Sequence, residues 1–282
     1  MNNLPELIQK YLRYCEGQRR LDSKTLKAYR IDLEQYCACF VDANISDITI
    51  PDIENYVTEM HDIYKPKTVK RKIASIKALY HYLEFQDLIS VNPFNKIRIH
   101  FRTPQTLPKT IPLHTIQTLL STMYREHRGA ATPFRHKKTL RDIATVEVLF
   151  STGIRISELC SLKKSDVDLY DGSILIFGKG AKERLIQIGS RDVLQLLIQY
   201  KQTFHREMEQ TGRFFVNPDA SPLSDQSVRR MLKKYCALSG IDLHITPHMF
   251  RHTFATSLLE ADVDIRYIQE MLGHSSINVT EI

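Results

Sequence analysis

Cysteine is scarce in this chain and poorly placed for pairing. The 282 residues hold five, Cys15, Cys37, Cys39, Cys160 and Cys236. An odd number with no C-x-x-C pair argues against a disulfide framework and against a structural zinc site. No apolar run reaches the length of a membrane-spanning helix, and the opening MNNLPELIQK lacks the apolar core of a signal peptide. A reducing cytoplasm without membrane attachment is therefore the expected location. There is no internal repeat and no low-complexity block. Acids are also missing where bases are dense: residues 88–124 contain neither Asp nor Glu.

What is present describes a soluble globular protein, 43% hydrophobic and 25% charged, with room for a sizeable core in one large domain or two ordinary ones. The formal charge of +7 and pI near 9.1 favour a polyanionic partner without proving one.

The first hundred residues read as helices. Leu4, Leu7, Ile8, Tyr11 and Leu12 recur at helical spacing. A second helix begins near Asp22 or Ser23 and carries Leu26, Tyr29, Ile31, Leu33 and Tyr36. A third starts at Thr49 or Ile50, where Pro51 suits the first turn, and a fourth covers about 67–85. Four helices with short connections predict a small bundle. Lys65, Lys67, Lys70, Arg71, Lys72 and Lys77 occur around the start of the fourth with no acid among them. The stretch VNPFNKIRIHFRTPQTLPKTIP follows, with four prolines and Lys96, Arg98, Arg102 and Lys109. Extended, basic and acid-free is what a strap along a phosphate backbone needs, although a solvated linker would read the same way.

The second half is mixed. Helical patterns cover 113–123 and 140–150, and another begins near Arg155. Between 164 and 189 the period shortens, with apolar runs split by Asp171-Gly172 and Gly178-Lys179-Gly180. That predicts a three-stranded antiparallel meander. Helices resume at about 192–208, 225–239, 247–259 and 264–272. The fold class expected is mainly α with a small three-stranded antiparallel sheet.

Three motifs could carry chemistry. In TGIRISEL (152–159), Gly153 breaks a helix and Arg155 shares a helical face with Glu158. A surface ion pair would look alike, but Arg155 stands between Ile154 and Ile156. A guanidinium in so apolar a segment needs a carboxylate or phosphate to meet it. In TPHMFRHTFAT (246–256), Thr246 can cap, Pro247 fits the first helical position, and His248 and Arg251 fall one turn apart beside the positive helix end. Phe250, Phe254 and Leu258 would form the buried stripe, with His252 a neighbour. In LGH (272–274), Gly273 fits a left-handed helix end and His274 follows it. Lys179, between two glycines, could swing toward a ligand.

Taken in order, R-x-x-E, G-K-G in a meander, H-x-x-R and L-G-H, these motifs resemble the tyrosine site-specific recombinases, most closely the Xer-type and integrase branch. TGIRISEL, GKGAKERLIQIG, PHMFRHTFATSLLE and MLGHSSI carry the resemblance, which spans essentially the whole chain. It implies a four-helix, SAM-like core-binding domain at 1–88, a basic linker at 89–110 and an α+β catalytic domain at 111–282. It also implies cleavage and rejoining of DNA through a 3′-phosphotyrosyl link, with no cofactor and no metal. The partner implied is double-stranded DNA at a specific site, bound as a homo- or hetero-tetramer. By resemblance, Arg155 and Arg251 would hold the scissile phosphate, His248 and His274 would bond it or move protons, and Lys179 would protonate the departing 5′ oxygen. Glu158 would support the site. Lys67, Lys70, Arg71, Lys72, Arg98 and Arg102 are the expected contacts to DNA.

The family's nucleophilic tyrosine normally stands nine residues after the L-G-H histidine. Counting from His274, that place falls just beyond Ile282. The expectation is a chain that holds DNA without forming the covalent link and assembles weakly on it; an adduct on a nicked substrate would overturn this. Tyr267, within the Ile265, Ile268 and Met271 stripe, reads as core or edge packing. Three alternatives stay open: a non-cleaving accessory protein of the same fold, a type IB topoisomerase-like activity, and a basic helical scaffold for another protein. The segment YREHRGAATPFRHKK (124–138) reads as an added DNA contact or a loop.

Overall fold

The computed structural model describes residues 3–41, 43–97, 109–178 and 183–273. The chain divides into two compact units, Met1–Gln105 and Thr106–Ile282. The fold is mainly helical with one three-stranded antiparallel sheet, as the periodicities predict.

In the first unit, α1 (Leu4–Gly17), α2 (Ser23–Cys39), α3 (Ile50–Ile63) and α4 (Pro66–Phe85) pack around a shared core. Local signals set their starts. Asp22 caps α2, its carboxylate accepting from the Lys24 and Thr25 backbone N–H groups at 2.9 and 3.1 Å. Asp52 accepts from the Thr49 N–H at 2.8 Å and fixes the start of α3. Pro66 occupies the first turn of α4. Tyr36 and Tyr80 share a buried hydroxyl–hydroxyl bond of 2.7 Å between α2 and α4. Ile31 departs from the expected stripe. Leu26, Tyr29, Leu33 and Tyr36 hold the helical period, and Ile31 falls between its turns and is exposed. Residues 89–97 also differ from an extended strap. Ile89 and Phe94 are buried in the first unit's core, and Asn92 and Asn95 each donate to Glu84 at 2.9 Å. Arg98 and Arg102 lie outside the described residues.

The second unit is built around α6 (Pro133–Thr152), packed against α5 (Leu113–Arg128). Of the two readings of 124–138, the loop gives way to the last turn of α5, a short connection and the first turns of α6, with Thr132 capping. After α7 (Ile156–Ser161) come β1 (Val167–Asp168), β2 (Ser173–Phe177) and β3 (Glu183–Gln187), in the order β1-β2-β3. Ile174 pairs with Ile186 and Ile176 with Arg184, so the buried isoleucines of β2 and β3 share one face with Arg184. The helix expected at 192–208 is two, α8 (Arg191–Thr203) and α9 (His205–Thr211). The break is at Phe204, which is fully buried and packs its ring 4.7 Å from that of Tyr200. Tyr200, Phe204 and Met208 keep four-residue spacing and are all fully buried, so the apolar period runs through the break without marking it. The unit continues with α10 (Asp225–Leu238), α11 (Pro247–Glu260) and α12 (Ile265–Leu272).

A buried polar network crosses this core. Arg141 Nε donates to Asp142 at 2.9 Å, and the Tyr235 hydroxyl donates to the same carboxyl at 3.1 Å. Each partner satisfies a group too costly to bury alone.

Candidate phosphate-binding site

Two left-handed glycines shape the site. Gly153 ends α6 at φ +59°, and a Cβ there would stand 2.5 Å from Phe254 Cδ1. The chain can turn sharply only because the position is glycine, and the turn delivers Arg155 to the start of α7. Gly273 ends α12 at φ +63°, with the Arg184 guanidinium lying against it.

Glu158 is the centre of charge. It is 7% exposed and accepts from two arginines. Arg155 Nη1 donates at 2.8 Å, while Arg184 donates through Nη1 at 3.1 Å and Nη2 at 2.6 Å. The Arg155 backbone N–H adds a bond of 3.0 Å. Burial pushes the Glu158 carboxyl up, but the bonds from Arg184 and Arg155 outweigh it and hold the group below the usual range.

The C-terminal end of α12 is the second focus. Its last carbonyls have no partner within the helix, and three guanidiniums take them. Arg184 Nε donates to the Met271 carbonyl at 2.8 Å, Arg251 Nη2 to that of Leu272, and Arg155 Nη2 to that of Gly273 at 3.0 Å. Arg251 also donates to the Gly153 carbonyl at 3.0 Å, tying both glycine turns together. Burial first, then the neighbouring Arg155, lower the 6%-exposed Arg251 guanidinium to about 9, so it stays charged at neutral pH.

The structure thus brings together Arg155, Glu158 and Arg251. His248 stands one turn before Arg251 on α11 and faces solvent. Its ring loses hydration to its surroundings, and the charges of Arg229, Arg251 and Arg155 further lower its pKa against the opposing Asp225. Thr246 occupies the N-cap position without a side-chain bond, and Pro247 is in the first turn as expected. Of the expected α11 stripe, Phe250 is fully buried, while Phe254 and Leu258 are half-buried. Lys179 and His274 lie outside the described residues. Among the described residues, three guanidiniums face one carboxylate, leaving an excess of positive charge suited to an anion. No group of three or more His, Cys, Asp or Glu side chains is placed to hold a metal ion among those residues.

Arg184 escaped the sequence reading. The one signal for it was an arginine on the strand face that carries Ile186, where burial demands an acidic partner. Tyr267 lies at the edge of the fold and not in its core. It is 63% exposed and lines, with Arg155, Arg184, Phe177 and Leu185, a cleft of about 1240 Å³.

The cations of the first unit sort by burial. Lys67, Lys70 and Arg71 are exposed on α4. Lys72 is not available to DNA as expected. It is 3% exposed, its ammonium donating to Asp32 at 3.2 Å and to Gln35. It falls on the opposite face from Lys70 because two helical steps turn by about 200°.

Fold and site together define a two-unit helical protein that gathers forked cations around one anion position. The chain belongs to the phage integrase family, which matches residues 110–282, and the family's N-terminal SAM-like domain matches residues 8–86. A tyrosine recombinase of Agathobacter rectalis is 61% identical over all of this chain and 92% of its own length. The tyrosine recombinase XerD of Listeria monocytogenes is 36% identical over 98% of this chain and 93% of its own. Among solved structures, the XerH site-specific recombinase bound to its difH substrate superposes with a TM-score of 0.79 at 20% identity, covering 100% of this chain and 92% of that one. A lambda integrase dimer bound to a core site gives 0.74 at 19% identity, over 98% and 75%.

Proposed function

We propose that this chain acts in site-specific DNA recombination, a phosphoryl transfer that cuts and rejoins strands through a tyrosine-linked intermediate. Its partner is double-stranded DNA of defined sequence in the bacterial cytoplasm, and its working assembly is a tetramer of one or two chain types. The observation that carries the reading is the convergence of Arg155 and Arg251 on the end of α12, with His248 one turn before Arg251 and within reach of both charges. Family membership and relatives named as tyrosine recombinases support it.

Arg155 and Arg251 neutralise the oxygens of the scissile phosphate as charge grows on them, and two forked cations do this without reorganising. His248 and His274 bond the same phosphate. Lys179 delivers a proton to the leaving 5′ oxygen, which is too basic to depart as an alkoxide. Glu158 orients Arg155. Lys67, Lys70 and Arg71, with Arg98 and Arg102, contact DNA away from the reacting group.

The test has two readouts. In gel shifts on a duplex selected from a random library, replacing both Arg155 and Arg251 by alanine is expected to weaken binding at least about tenfold. In a chain that includes the family's tyrosine position, a covalent adduct on that duplex is expected and should vanish in Arg251→Ala. Unchanged affinity together with an unchanged adduct would contradict the reading.

A further inference from the structure

α4 presents two kinds of cation on its outer face. Lys67, Lys70 and Lys77 are exposed, and their ammonium groups make no ion pair among the described residues. Arg71 stands beside them in a different state. Its Nη1 donates to Oδ2 of Asp32 on α2, and its side chain keeps 47% exposure while that of Asp32 has none.

Asp32 is held from other sides as well. Lys72 donates to Oδ1 at 3.2 Å and the Ser75 hydroxyl to Oδ2 at 2.9 Å. The Tyr64 ring lies 4.6 Å from the Lys72 ammonium and closes that side. The carboxylate cannot turn away without uncovering a buried charge, so one edge of Arg71 is pinned. Its Nε and Nη2 have no partner among the described residues and form a fork of two donors on a side chain open to solvent.

Charge decides what that fork suits. Against a phosphate, Arg71 adds only the single net positive charge of its cluster with Lys72 and Asp32, which each of the three lysines supplies without a fixed direction. Against a guanine edge, the acceptors O6 and N7 are neutral, and recognition depends on direction rather than net charge. A guanidinium already oriented loses less freedom on binding. The helix surface permits the approach. A helix about 10–12 Å across with its side chains fits a major groove about 12 Å wide, and Ala74, three residues on, is exposed and adds only a methyl group beside Arg71.

We infer that Arg71, oriented by the buried Asp32, is a specificity-determining residue that reads a guanine in the major groove, while Lys67, Lys70 and Lys77 hold flanking phosphates. This rests on the DNA-binding reading above and deepens it.

The test is selection of duplexes from a random library by the full chain, with Arg71→Ala, Arg71→Lys and Lys70→Ala alongside and circular dichroism confirming their fold. Wild type is expected to select a defined sequence. Both Arg71 variants should lose the preference for one G·C pair, keep the other positions, and bind the wild-type site about ten- to a hundredfold more weakly. Arg71→Lys retains the charge and should keep the salt dependence unchanged. Lys70→Ala should weaken all duplexes alike and flatten the salt slope by about one contact. The inference is overturned if Arg71→Ala and Arg71→Lys select the wild-type sequence, or if Arg71→Ala weakens every duplex equally. If wild type selects no sequence at all, the DNA-binding reading falls with it.

Discussion

Arg184 and Glu158 meet as a two-pronged pair, Nη1 to Oε1 at 3.1 Å and Nη2 to Oε2 at 2.6 Å, across 26 residues of sequence. Both side chains are nearly inaccessible, at 9% and 8%. Removing one member of such a pair strands the other, and Arg184→Ala is expected to cost about 3 kcal/mol. Glu158 keeps Arg155, which limits the loss. Arg184→Lys supplies charge without the fork and cannot also reach the Met271 carbonyl, so it should cost about 1–2 kcal/mol. Urea unfolding followed by circular dichroism measures both. Values within about 0.5 kcal/mol of wild type would show that the pair adds nothing.

The turn that aims Arg155 depends on Gly153. Alanine there must adopt φ +59° and also press on Phe254 at 2.5 Å, a combined cost of about 3 kcal/mol. Gly212 is the control, with φ +65° and nothing within 4 Å. Gly212→Ala should cost only about 1 kcal/mol, the backbone share alone. Equal losses in the two variants, read from thermal unfolding, would mean that the Phe254 contact relaxes freely.

Much of this was legible in the sequence because it is local. Asp22, Pro51, Gly153 and Gly273 announce helix ends through their own backbone preferences, and the apolar period of α1 survives intact. Arg155 with Glu158 was visible because three residues separate them. Arg184 was not, since its acceptors on Glu158 and Met271 are remote in sequence and meet it only once β3 packs beside α7 and α12. Lys72 misled for the same reason: it lies in a run of exposed cations, and only the approach of α2 shows that Asp32 takes it inward. The break at Phe204 was hidden because Tyr200, Phe204 and Met208 keep one buried stripe across it, and Ile31 misled because it is apolar but lies off the stripe of α2.

Three histidines set a pH dependence. His127, His248 and His252 all have their imidazoles lowered, in each case first by burial. A depressed folded value means that the unfolded chain binds the proton more readily, so stability rises with pH across the titration. The contribution is complete above the ordinary value of about 6.5 and is lost as pH falls through the folded values. The thermal midpoint is expected to drop between about pH 7.5 and 5.5, and to drop less in a variant with His127 and His252 replaced by glutamine. A slope identical in both proteins would remove these groups as the cause.

The central claim is that Arg155 and Arg251 hold one phosphate of the DNA. Neutral methylphosphonates, placed one at a time along a selected duplex, test it directly against wild type and Arg251→Lys. One position should cost wild type about tenfold or more in affinity and cost the variant much less, because the contact is already lost. If every position costs both proteins equally, the two arginines do not share a phosphate and the account is contradicted.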